Sequence, residues 1–482
     1  MVKFKMKKYM SILLCLTVIA LMGCQAVPEK QSVISNNEEL FEHAIYEKRA
    51  EGQLLDSHIQ YSSLFASTDN SVQFSFNVNQ GISTEKIPVV KVQAKHIDSE
   101  ICKHVAEVLL GNSAFYEREP SSNPRYSKAQ YQEMINRLSP YSSLTAATDL
   151  VGIDSAEEVS ESIRNVIATA TELLEDAPEE NPHRLCDWQL KKEREYNDSE
   201  WDILGRNLED DNDWLVAVTE VQDVAYKYMV VTRDRDDYRL NRFIVQLGGD
   251  TLAPDLDRLV YWSELCRTEE PTEQEIQKIE ELVHSKLQEM DMGCWSIASS
   301  TVEVYGTEHS PEYMIRVLAV PEFNEVSAIA KQKNAAKSED YTGAYVLTQA
   351  SFLMSTKGDL IEMRLDSPIE INEIINNDVA TLSLEALLNR AQQHLSLSDA
   401  SNYGMLMSER TQDIICRVNI NNLECGLARI MKKNDAAFYY YVPAIMLYGD
   451  IEYSDKSTAD VYYAATNENI ICINAIDGSI IS

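Results

Sequence analysis

Apolar and polar residues alternate without a break through Val72, Phe74, Phe76 and Val78 in "SVQFSFNVNQ", which predicts a strand with one buried face. "IPVVKVQA" (Ile87 to Ala94) predicts a second strand. The period then changes. In "HIDSEICKHVAEVLLG" Asp98 is placed to cap a helix that carries Ile101, Val105, Val108 and Leu109 on one face, and Gly111 suits its end. From Asn112 to about Asp176 the text is helical and polar: one helix starts at Ser127 and another opens on a capping box from Ser155 to Glu158. Three strand-like runs follow, "DWLVAV", "VAYKYMVV" and "RLNRFIVQL", with the charged "TRDRDD" (Thr232 to Asp237) as a turn.

The pattern then restarts twice. Thr272 and Glu275 form a capping box, and Ile276, Ile279, Val283, Leu287 and Met290 fall on one helical face. Strands are expected at "CWSIASSTVEVYG", "EYMIRVLAV", "AYVLTQASFLMS" and "DLIEMRLD", the last two joined across Thr356-Lys357-Gly358. Ser383 opens a further helix bearing Leu384, Leu387, Leu388, Ala391 and Leu395. After it come "ICRVNI", "CGLARIMK", "AFYYYVPAIMLYG", "DVYYAA" and "IICINAIDGSII". A helix followed by an antiparallel meander is thus expected three times, an α+β arrangement in which each helix covers one face of a sheet. The tails "LIEMRLDSPIEI" and "ICINAIDGSIIS" share an Asp before a turn and point to an internal repeat. Over roughly the last 210 residues, this helix, meander and terminal strand "INAIDGSII" resemble PepSY-like units. Such units occur in Gram-positive lipoproteins of unknown function and in membrane-anchored regulators of sensor kinases. The resemblance implies binding or regulation and carries over no functional residue.

The first 23 residues are a short basic segment followed by an apolar run from Ser11 to Leu21. That run covers only about half of a ~30 Å hydrocarbon core, so it suits a signal peptide rather than a spanning helix. Leu21-Met22-Gly23-Cys24 resembles the lipobox of bacterial lipoproteins, with Met22 larger than the usual occupant of its position. The resemblance implies that the Cys24 thiol receives diacylglycerol and becomes the new N-terminus, the membrane being touched through this lipid alone. The competing reading is an ordinary secretory signal that contains a cysteine. "QAVPEKQSVISNN" (Gln25 to Asn37) lacks apolar periodicity and reads as a tether of at most about 45 Å. The organisation expected is a signal peptide (1–23), a tether (24–38), an N-terminal α+β unit (39–268) with a helical insertion (about 112–190), a second unit (269–378) and a C-terminal unit (379–482).

Composition sharpens the partner class. Acidic residues number 77 against 43 Lys plus Arg, a net charge of −34, and cleavage after Gly23 would also remove Lys3, Lys5, Lys7 and Lys8. Such a surface repels phosphate backbones and anionic headgroups, so no nucleic-acid partner is expected. "LEDDNDW" (Leu208 to Trp214) lacks EF-hand spacing and reads as a solvated turn. Beyond Cys15 and Cys24, seven scattered cysteines without a C-x-x-C argue against a disulfide framework and against structural zinc. One pair has a route to bridging: in "CRVNINNLEC" a loop at Asn419 to Asn422 would set Cys416 opposite Cys425 across a hairpin, the alternative being two buried free thiols.

Catalytic signatures are absent from the sequence. No glycine-rich phosphate loop, nucleophile elbow or H-E-x-x-H occurs, and His96 and His104 are eight residues apart, two helical turns. No metal or cofactor is expected. The aromatic run "AFYYYVPAIMLYG" allows two readings. Either it is a central strand covered on both faces, or Tyr439 and Tyr441 line an exposed groove for peptide or glycan. The expectation is a non-enzymatic, lipid-anchored extracytoplasmic protein that binds a partner protein or envelope component, with a regulatory or sensor role. The alternatives are an envelope hydrolase with an unrecognised carboxylate site, and a solute-binding lipoprotein of a transporter.

Overall fold

The computed structural model describes residues 43–48, 57–82, 86–111, 114–117, 127–151, 153–179, 185–192, 212–221, 225–234, 241–248, 265, 269–307, 310–330, 348–398, 414–432, 435–455, 458 and 461–481. Along the chain come β1 (Ser57–Ala66), β2 (Val72–Ile82), β3 (Val89–Ala94), α1 (Ser99–Leu110), β4 (Tyr116–Glu117), α2 (Lys128–Leu138), α3 (Leu144–Val151) and α4 (Ile153–Glu175). Next are β5 (Lys191–Lys192), β6 (Asn212–Val221), β7 (Ala225–Asp234), β8 (Arg242–Gly248), α5 (Glu273–Glu289), β9 (Trp295–Thr307), β10 (Ser310–Phe323) and β11 (Val326–Ser327). The remainder is β12 (Gln349–Ser355), β13 (Leu360–Asp366), β14 (Ile369–Asn376), α6 (Leu384–Leu395), β15 (Ile414–Lys432), β16 (Asp435–Asp455), β17 (Val461–Asn474) and β18 (Ile480–Ile481). The architecture is α+β, built on two sheets with antiparallel pairing throughout except between β15 and β2.

The first sheet runs β11-β10-β12-β13-β8-β7-β6-β4, with β9 on β10 and β5 on β6. One of its faces is buried under α1 and α5. Cys102, Val105, Ala106 and Leu109 of α1 join Ile279, Val283 and Leu287 of α5 against Val231, Phe243, Val317 and Phe352. Each Val, Leu, Ile or Phe among them contributes about 1.5–3 kcal/mol when fully buried. Both helices start where the sequence says they should. The Asp98 carboxylate accepts from Ile101 N at 3.0 Å, and Thr272 and Glu275 bond to each other's backbone N–H. The Lys286 ammonium ties α5 to α1 by donating to Val108 O at 3.1 Å, and burial pushes its pKa down.

α2 and α4 pack around Tyr131, Met134, Leu138, Ile163 and Ala170, a small core of their own, and α3 packs on α4 and reaches β9 of the first sheet. Ser127 caps α2 in a full capping box with Gln130. The expected box at Ser155 is not the start of a helix: α4 already begins at Ile153, so Ser155 sits inside its first turn. Likewise, Asn212 to Trp214 of the expected acidic turn belong to β6, paired with Thr232 to Asp234. Leu208 to Asp211 lie outside the described residues.

The second sheet runs β1-β2-β15-β16-β17-β18, with β3 between β14 and β16 at one end. Val72, Phe74, Phe76 and Val78 point to one side, as their alternation predicts, and meet Leu384, Leu387, Leu388, Ala391 and Leu395 of α6. Ser383 caps that helix by accepting from Ala386 N. The sheets also cut across the expected units. β8 pairs with β13, and β3 pairs with both β14 and β16, so the boundaries at 268/269 and 378/379 pass through hydrogen-bonded ladders.

Among the links between the sheets, two bear on the site. The chain passes from β13 to β14 through Ser367, at φ 46°, and Pro368. The segment after β11 docks on β15, where Ile329 N donates to Leu427 O at 2.9 Å. Gly426 permits that approach, since a Cβ there would stand 2.8 Å from Ser327 O.

Candidate functional site

The seam between the sheets gathers several buried polar groups, Asn241, Thr348, Asp366, Ser367 and Arg429. It is built on "CGLARIMK" and "AFYYYVPAIMLYG", adjacent in β15 and β16, with Arg429 opposite Tyr441. Alternation along β16 turns Tyr440 and Val442 toward Ile45, Val89, Val379 and Ile476. Tyr439 and Tyr441 turn the other way, onto Val90 and Val92 of β3 and Phe323 of β10. Both are only 2% exposed, which removes the exposed groove expected at Tyr439 and Tyr441: β16 is a central strand covered on both faces.

Arg429 is the group that organises this seam. Its guanidinium lies 3.7 Å above the Tyr439 ring centroid, and its Nη1 donates to Thr348 Oγ1 at 3.2 Å. Thr348 Oγ1 in turn donates to Ser367 O at 2.8 Å, at the crossing between the sheets. Burial pushes the Tyr441 hydroxyl above its ordinary pKa, with Arg429 and Thr348 pulling it partly back. A small void of about 10 Å³ lies here, lined by Val320, Ala328, Thr348, Gln349, Arg429 and Tyr441 among others, space for at most a single water. A guanidinium flanked by hydroxyls can hold a water in such a space. Next to the crossing, Asp366 is 1% exposed and accepts from Nε of both Arg242 and Arg364. A second small void, of about 20 Å³, lies beneath α6 and is apolar, lined by Ile87, Leu384, Leu387, Cys425, Pro443 and Ile445 among others.

Two further clusters carry perturbed groups. On the second sheet, the Tyr448 hydroxyl donates to Glu424, and its pKa is raised by burial and then by that carboxylate. Beside them, burial and Glu424 push the Cys472 thiol up to about 12. On the first sheet, Arg316 bonds Glu303 through two nitrogens, Tyr305 donates to the same carboxylate, and Glu362 stands 3.6 Å from Arg316. Burial alone would raise Glu303, but the bonds from Arg316 and Tyr305 outweigh it and hold the carboxyl below its ordinary pKa.

The sequence-predicted residues fare differently. Cys24 and the tether at Gln25 to Asn37 lie outside the described residues. Cys416 and Cys425 are free thiols on one strand, not partners across a hairpin. The polar "NINN" is a bulge in β15 at Ile420/Asn422, opposite Gly449, and the strand continues through it. Cys416 faces Tyr453 and Cys425 faces Ile445. Nine residues along a strand put them roughly 30 Å apart, far beyond bridging distance. Burial raises the Cys416 thiol to about 11 and, with Glu424 adding, the Cys425 thiol to about 12. Among the described residues no group of three or more His, Cys, Asp or Glu is arranged to hold a metal ion, and no helix is long and apolar enough to cross a membrane. The sequence reading missed Arg429. Its signal was a charge at an inward position, in step with Leu427, in a strand otherwise apolar on that face.

No known protein family matches the chain, and no curated protein does. Among solved structures, the chain aligns with an uncharacterised protein from Eubacterium rectale ATCC 33656 over 92% of this chain and 98% of that one, at 9% identity and a TM-score of 0.38. A likeness at that score carries no argument about this protein.

Proposed function

We propose that the chain is a lipid-anchored extracytoplasmic protein that binds a partner protein or envelope component in a regulatory or sensor role. The observation that carries this reading is Leu21-Met22-Gly23-Cys24, set directly after a basic segment and a short apolar run. Two acyl chains on Cys24 satisfy the two-signal requirement for stable anchoring, and the acidic body stands off the membrane on a short leash.

We read α5 with β9, β10, β12 and β13, and α6 with β15 to β18, as two PepSY-like units, a helix against an antiparallel meander in each case. What supports binding over acid–base chemistry is the nature of the linings. The two voids are water-sized, and neither is lined by a carboxylate or a histidine. The described thiols on the second sheet have pKa values pushed up to about 11 or 12, the opposite of what a nucleophile needs.

The test is Cys24→Ala in intact cells, followed by fractionation. The variant is expected to carry no lipid, and either to accumulate with its leader attached or to be released from the membrane. A variant that stays membrane-bound and equally processed sinks the reading.

A further inference from the structure

β17 begins in an unusual way for a strand of this fold. From Val461 to Glu468 nearly every residue is exposed, whereas alternation normally hides every second one. Val461, Tyr462 and Tyr463 are 53%, 63% and 51% exposed, three consecutive large side chains in water. β18 covers only Cys472 and Ile473, and among the described residues no strand pairs with the outer edge from Val461 to Ile471. Edges and apolar runs of this kind are normally blunted by charge. β14, an edge of the same sheet, carries Glu370 and Glu373 and two register shifts. Val461 to Asn467 carries no charge at all.

The tip is also chemically specific. The Tyr463 ring lies 5.7 Å from Tyr453, and the Tyr462 hydroxyl donates to Asp455 Oδ2 at 3.3 Å. Asp450 and Glu468 stand further along the same ribbon, and Glu452 is paired with Arg417 at 2.8 Å. Shifts in the ladder to β16, one at Tyr453/Ser454 and another at Gly449/Ile451, leave Tyr463 to Ala465 as the regular stretch. Contact with an incoming chain therefore falls mainly on ring faces, with little strand addition. Exposed tyrosine faces with a carboxylate, Asp455, beside them attract cations, and the chain's net charge of −34 draws in a basic segment and repels both an acidic one and a second copy.

We propose that the exposed start of β17, with Asp455, is the docking surface for a lysine- or arginine-bearing segment of a partner protein. This rests on the binding reading above and gives that partner its chemistry.

The test titrates the full mature chain with a short fluorescent peptide of alternating lysine and serine, and with its glutamate–serine counterpart. The lysine peptide is expected to bind, and Tyr462→Ser/Tyr463→Ser to weaken it about tenfold. Asp455→Asn should weaken it several-fold. Val304→Ser, at another exposed apolar residue, serves as control and should leave binding unchanged. Binding of the double variant within about twofold of the parent would mean diffuse charge attraction. Equal affinity for the glutamate peptide, or a parent dimer in sedimentation that the double variant abolishes, would equally overturn the inference. Photocrosslinking in intact cells separates the two levels. A partner captured from position 304 but not from 462 overturns this surface and leaves the binding function standing. Capture from no surface position contradicts both.

Discussion

At the scale of single residues, the interior is held by charge and thiol chemistry that the hydrophobic pattern does not announce. Asp366, clamped by Arg242 and Arg364, marks where the chain leaves the first sheet. Asp366→Asn removes the one carboxylate both guanidinium groups share, and should cost about 2–3 kcal/mol in urea unfolding, discounted for the partial exposure of the two arginines. The thiols make a second prediction. Cys416, at about 11, and Cys472, at about 12, are raised above an unfolded thiol by burial. The folded state therefore keeps their protons when the unfolded state begins to lose them. Their contribution is fully present below about pH 8.5 and is lost as pH climbs toward 11–12. Chemical denaturation between pH 8 and 11 should show stability falling, with a shallower slope in Cys472→Ala. In alkylation at neutral pH, exposed Cys294 should label in the folded protein, while Cys416 and Cys472 should need denaturant.

At the scale of elements, what was legible in the sequence is what local rules decide. Asp98, Thr272 and Ser383 cap the helices they were expected to cap, and Val72 to Val78 alternate onto α6 as read. The hairpin predicted at Asn419 to Asn422 failed because polar composition was read as a turn. β15 instead absorbs the extra residue as a bulge that Gly449 accommodates: a Cβ there would stand 2.4 Å from Asn419 O. Tyr439 and Tyr441 could not be assigned to groove or core from alternation alone. Which faces of β16 are covered depends on β3 and β10, more than a hundred residues away or on the other sheet. Gly426 is the element-scale test. Gly426→Ala should push the segment after β11 off β15 and cost about 1–3 kcal/mol in thermal or chemical unfolding.

At the scale of the whole molecule, the three helix-plus-meander segments read along the chain are not three separable bodies. β15 takes β2 as a parallel neighbour, and β16 takes β3, so the last hundred residues need strands from the first hundred. Residues 379–482 expressed alone should therefore lack a dispersed amide spectrum and a cooperative melt. A well-folded fragment would show that the ladders across the boundary are dispensable. The acidic body, its exposed tyrosine tip and the N-terminal Leu21-Met22-Gly23-Cys24 converge on one account, a protein held at a membrane by lipid with a cation-seeking face turned to a partner. The most direct measurement of its central claim is mass spectrometry of the N-terminal peptide of the mature protein purified from membranes. The account predicts a peptide that begins at Cys24 and carries a diacylglyceryl group on its sulfur. A mature N-terminus at any other residue, or an unmodified Cys24 within a longer peptide, would contradict it.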